Sequence, residues 1–235
     1  MTLIKIIIDE TSPEDFECPE DSFVFVRNEI YPSKSMGYQY DIRNEEAFAL
    51  PKFSSLKCKG AEKIRAYFKE EYGKKVANYE PQLKDGEDRL ANSASQSVYV
   101  WTRTYNYNIV GDFLSVAYDY YWYTGGVHGM YGSLFDIFDL STGEKLEYND
   151  FFGDSAYANE KLTPIIASHL TDSYRADGLE YIMKQDYIPK FRVEEEGILF
   201  IFNPYEIASF AEGIIEVLVP YSELKGCLLY DLKAH

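Results

Sequence analysis

The chain has 235 residues, with 39 acidic side chains against 23 basic ones and a formal net charge of -16. A surface of that sign repels phosphate backbones and anionic lipid, so nucleic acid and acidic membranes are excluded as expected partners. A hydrophobic share of 46% excludes a disordered chain and supports one large domain or two small ones.

Residues 3–8, LIKIII, predict a short strand, and residues 22–31, SFVFVRNEIY, a second. Pro, Ser, Gly and Lys interrupt the region 33–56, which predicts loops with room for an edge strand. Residues 60–79 then carry the clearest helical period. Ala61, Ile64, Phe68, Tyr72, Val76 and Tyr79 recur at spacings of three and four, and predict a helix lying across a sheet. Glu70–Lys74 and Glu71–Lys75 are i,i+4 pairs in the favourable order. The polar stretch that follows, to about residue 96, is expected to be helical.

From Gln96 the period changes to two. Tyr99, Trp101, Arg103, Tyr105 and Tyr107 share one strand face, and VGDF (110–113) is a tight turn. Leu114, Val116, Tyr118, Tyr120 and Trp122 line one face of the returning strand. SLFDIFDL (133–140) predicts a third strand, ended by the turn STGEK. Short connections favour an antiparallel meander. A helix capped by Asp154 or Ser155 follows, with Leu162, Ile165, Ile166, His169 and Leu170 as its inner stripe and a stop at Gly178. Pro164 within it predicts a kink or a delayed start. Residues 190–202 and 214–224 read as strands around the loop NPYEIASFAEG. The fold class this order predicts is α+β: antiparallel sheets with packed helices, in two small closely packed units. The predicted domains are residues 1–124, with the helix 60–79 on a sheet, and residues 125–235.

The sequence carries no HExxH, GxGxxG, P-loop or GxSxG motif, so no cofactor is expected. Cys18, Cys58 and Cys227 are scattered and form no CxxC pair, and the metal expectation is none. A single disulfide with one free thiol stays open. His169 sits on an apolar helical stripe and reads as a core histidine. His128 is the one histidine with a case for chemistry, because Asp119 and Asp136 lie on the flanking strands. The plainer reading is a hydrogen bond from His128 to backbone in a turn whose glycines adopt positive φ.

The run Tyr118–Tyr123 contains one acid, so both faces of its strand carry rings. Exposed tyrosine and tryptophan give contact area at low entropic cost and suit a sugar ring or a protein loop. The ligand-binding candidates are Trp122, Tyr123, His128, Tyr131 and Tyr205. No stretch has the roughly 18 apolar residues of a membrane span. The opening MTLIKIIIDETSPEDF is too short in its apolar run for a secretory leader. The expectation is a cytoplasmic chain, or one whose leader or anchor lies outside it.

Two segments carry a resemblance. YTGGVHGMYGSLFDIFDLSTGEKLEYNDFF resembles the opening of a bacterial domain of unknown function, with Gly-Gly-x-His, a strand, Leu-x-Thr-Gly-x-x-Leu and Asp-x-Phe. FNPYEIASFAEGIIEVLVPYSEL resembles its closing segment. The likeness covers about residues 120–230, and the upstream part is similar to the small α/β domain that often precedes it. That family is found in envelope proteins, among them the ectodomain of a lysozyme-sensing anti-sigma factor and proteins with a polysaccharide deacetylase. The resemblance implies a non-enzymatic, extracytoplasmic binding or sensor module. Its expected partner is a basic protein such as lysozyme, or a cell-wall glycan. It carries no catalytic residues across. The chain departs from those members in lacking a membrane helix, a sigma-binding segment and a deacetylase domain. The rivals are a hydrolase or metal-dependent enzyme centred on His128, and a structural accessory domain.

Overall fold

The computed structural model describes residues 19–35, 38–78, 97–124, 127–170 and 187–230. The strand expected at 3–8, the helical stretch to residue 96, the stop at Gly178 and Cys18 lie outside these. The fold is sheet-dominated α+β with few helices. Among the described residues, one sheet has six strands in the order β1 (Ser22–Ser35), β2 (Tyr38–Pro51), β3 (Ser97–Val110), β4 (Phe113–Tyr123), β5 (Met130–Asp139) and β6 (Lys145–Leu146). A second has three, β7 (Lys190–Val193), β8 (Gly197–Phe202) and β9 (Ile215–Pro220), all antiparallel. The helices are α1 (Ala61–Ala77), α2 (Tyr148–Phe152) and α3 (Ser155–His169).

Two expectations need correction. The region 33–56 is not mainly loop: β1 and β2 pair antiparallel along 14 residues each, from Ser22↔Pro51 to Ser35↔Tyr38. Pro32 falls within β1, which lies at the end of the sheet, the position where a strand proline is tolerated. The sheets are also not purely antiparallel. β2 and β3 run parallel, with Ile42↔Ser97 through Phe48↔Arg103 in register. A parallel pair needs a long crossover, and α1 lies within the one that joins them.

The chain divides into two compact units. The first takes residues 1–55, 65–105 and 119–131; the second takes residues 56–64, 106–118 and 132–235. In the first, Phe48, Leu50, Phe53 and Phe68 are buried. Phe53 and Phe68 meet edge to face at 5.4 Å, and Tyr72 stacks on Phe23 at 5.1 Å. The inner stripe of α1 holds at Ala61, Ile64 and Phe68 but runs out at Val76, which is exposed. Glu70 pairs with Lys74 as expected, while Glu71 goes to Lys74 and Lys75 lies over the Trp101 ring.

The second unit holds the larger core. Phe113, Phe151, Phe152, Phe191, Phe200 and Phe202 are buried in one cluster with Leu162, Ile166 and Leu170 of the α3 segment. Gly111, at φ 55, makes the two-residue turn between β3 and β4. Gly60 lies so close to the STGEK turn that a Cβ there would meet Gly143 N at 2.2 Å. α3 begins at Ser155, directly after Asp154, and runs through Pro164. His169 is not a core histidine: it is exposed, and its Nε2 lies 2.9 Å from Glu223 Oε2. Cys58 and Cys227 are free thiols.

Candidate functional site

Residues Phe113–Tyr118 of β4 are buried on both strand faces, and the strand opens to solvent from Asp119. Successive side chains point to opposite faces. The neighbours Tyr121 and Trp122, 39% and 38% exposed, therefore put a ring on each. Tyr123 and Tyr131 are half-buried and His128 is exposed. Trp122, Tyr123, His128 and Tyr131 all fall within residues 119–131 of the first unit.

The His128 ring has Nδ1 2.8 Å from the carbonyl oxygen of Gly129. A carbonyl only accepts, so Nδ1 carries the proton in this contact. Gly129 is buried but does not have positive φ, contrary to the expectation for this turn. It plays another part: a Cβ there would meet Tyr121 Oη at 2.3 Å and its ring carbons at 2.4 Å, and the ring would have to move. The glycine leaves room for the Tyr121 ring to lie across the turn. Sequence alone does not single out Tyr121, since alternation gives no preference among neighbouring rings.

Tyr205 belongs to the second unit and is 56% exposed. Its φ of 70 places a non-glycine residue in the left-handed region. The surrounding loop is braced. Asn203 Oδ1 accepts from Ser133 N–H at 2.8 Å, and Glu206 Oε2 accepts from Asn203 N–H at 2.7 Å. The other Glu206 oxygen pairs with Lys190, and the Tyr205 ring lies 5.8 Å from Phe210.

Lys190 also lines a cleft of about 300 Å³ in the same unit. Its apolar walls include buried Ile137, Tyr148 and Phe191 and the exposed Leu134 and Ile188. Asp136 lines it too, but Tyr118 Oη donates to its Oδ2 at 2.7 Å and Lys145 Nζ lies 2.9 Å from its Oδ1. Both oxygens of this carboxylate are therefore engaged, one by a phenol hydroxyl and one by an ammonium group. Burial pushes the Tyr148 phenol well above its ordinary value. Among the described residues, no three His, Cys, Asp or Glu side chains gather as a metal-holding group. No described helix is long and apolar enough to cross a membrane.

These features define a sheet-dominated α+β protein with exposed rings at a strand end and a small apolar cleft. Residues 149–222 match the family described as "Protein of unknown function (DUF3298)", and residues 44–131 match the one described as "Deacetylase PdaC". The chain thus carries a DUF3298 domain and a PdaC-type domain. A member of the DUF3298 family from Bacteroides fragilis NCTC 9343 is similar at 19% identity, with a TM-score of 0.48 over 91% of this chain and 98% of that one. A DUF3298 family protein from Pseudomonas aeruginosa PAO1 is similar at 16% identity, with a TM-score of 0.51 over 90% and 97%. At that identity the second likeness speaks for the fold alone. No curated protein matches.

Proposed function

We propose that the chain is a non-enzymatic binding module of bacterial envelope type, whose partner is a basic protein such as lysozyme. The observation that carries this reading is the change along β4, where six buried residues give way to the exposed rings of Tyr121 and Trp122. Rings of this kind anchor a protein contact at low entropic cost. The net charge of -16 steers a basic partner toward them. Trp122, Tyr123, His128 and Tyr131 form the proposed contact segment, with Tyr205 as a second, separate contact. The domain division that accompanies this reading is 1–124 and 125–235. The matched segments fall mainly on either side of that line.

Calorimetry with lysozyme at low and near-physiological salt, with another basic protein as control, tests it. Binding that survives salt, spares the control and is lost in Trp122→Ala supports the module. Binding shared with the control and abolished by salt reduces it to simple charge attraction, and a cell-wall glycan becomes the ligand to try.

A further inference from the structure

The α1-facing side of the first unit's sheet holds a cationic cluster on an otherwise acidic chain. Arg27, Glu46 and Trp101 are successive cross-strand partners on β1, β2 and β3, and Phe25, Phe48 and Arg103 form the next row. From the last turn of α1, Lys75 Nζ lies 4.6 Å from the Trp101 ring centre and 5.9 Å from that of Phe48. Rings are the only direct contacts its ammonium makes among the described residues. The carboxylates nearby are spoken for: Glu71 lies 3.0 Å from Lys74, and Glu46 is shared between Lys75 and Arg27. Burial, and then the like charge of Arg103, pull the Lys75 amine below its ordinary value, so a further anion would be favourable there.

We propose that Lys75 and the Tyr99–Trp101 face of β3 form a binding site for a carboxylate-bearing saccharide. The ligand's carboxylate takes the N–H donors of Lys75, with the field of Arg103 and Arg27 behind it. Tyr99 and Trp101, two places apart on one strand face and about 7 Å along it, give a half-buried aromatic platform for a flat ring. Glu46 sets the charge of the guest. Its own negative charge within the cluster disfavours a doubly charged phosphate group at Lys75 and leaves a singly charged carboxylate group as the better fit there. This site goes beyond the protein-capture reading and does not use Trp122, so either can fail without the other.

The test is calorimetry on the full chain with trigalacturonate and with maltotriose, a neutral trisaccharide of the same length. The sequence has two tryptophans, so a Trp122→Phe variant makes Trp101 the sole reporter for a parallel fluorescence titration. Trigalacturonate should bind saturably, change Trp101 emission, and do so at least tenfold more tightly than maltotriose. Lys75→Gln should lose at least tenfold in affinity with an unchanged melting curve, and Lys75→Arg should retain binding. Equal affinity for the two sugars overturns the proposal, as does Lys75→Gln binding like the parent. A response reproduced in full by acetate at the same concentration also overturns it, because the ring would then contribute nothing.

Discussion

Asn203 holds the backbone of Ser133 from both ends of its amide. Its Oδ1 accepts from Ser133 N–H at 2.8 Å, and its Nδ2 donates to Ser133 C=O at 3.2 Å. The contact is buried, and it ties the loop carrying Tyr205 to strand β5 of the same unit. Asn203→Ala removes both bonds, and should cost about 2–6 kcal/mol at roughly 1–3 kcal/mol for each buried group left unsatisfied. Asn203→Asp should also destabilise, since a carboxylate oxygen would face the Ser133 carbonyl. Urea denaturation midpoints of the three proteins check this order.

Three glycines should respond to alanine in three different ways. Gly73 lies within α1, and nothing stands within 4 Å of where a Cβ would project, so Gly73→Ala should stabilise by about 0.5–1 kcal/mol. At Gly197 a Cβ would meet the Val219 backbone oxygen at 2.1 Å, and Gly197→Ala should cost about 3 kcal/mol or prevent folding. At Gly129 the obstacle is the far end of the Tyr121 side chain, which can swing away. Gly129→Ala should therefore change the melting temperature little while altering any binding that uses the Tyr121 ring.

Phe151 is the hub of the aromatic core in the second unit. It is fully buried, with the rings of Phe191, Tyr230 and Phe113 at 5.0, 5.3 and 5.4 Å. Phe151→Ala should cost about 3–5 kcal/mol, the range for emptying a buried aromatic site. Phe151→Leu should cost less than half of that. Calorimetric unfolding measures both.

Stability should fall at both ends of the pH scale through identifiable groups. Burial of the Asp139 carboxyl opposes its ionisation, but the hydrogen bonds from Ser141 and Thr142 outweigh that and hold it below the usual carboxylate value. A depressed folded value stabilises the fold above the unfolded value, near 3.9 for an aspartate. That contribution is lost as pH falls through the folded value. Asp139→Asn should be less stable than the parent at pH 7, with the gap closing in acid.

At the alkaline end, burial and then the charge of Glu194 push the Tyr221 phenol up to about 12. Its hydroxyl donates to the Glu194 carbonyl at 2.5 Å. The unfolded chain ionises this group near 10, so stability should decline from there toward 12. Tyr221→Phe should flatten that part of the profile, measured as denaturation midpoint against pH.

What the sequence determined by itself is local. The 3.6 period at Ala61, Ile64 and Phe68 specifies α1, and the period of two from Gln96 specifies β3 and β4 around the turn at Gly111. Asp154 or Ser155 marks the start of α3, and the net charge of -16 gives a field that opposes phosphate-rich partners. These follow from backbone sterics and side-chain direction over a few residues. Tertiary structure decided which segments pair and which rings are covered. β3 lies parallel to β2 because α1 carries the chain back across the sheet, a pairing no short window contains. Along a strand with rings on both faces the period of two is silent, and burial falls on Tyr118 rather than Trp122 only because of what packs over each. The same holds for Gly129, whose bare Cα makes room for the Tyr121 ring, and for Asn203, whose partner lies 70 residues away.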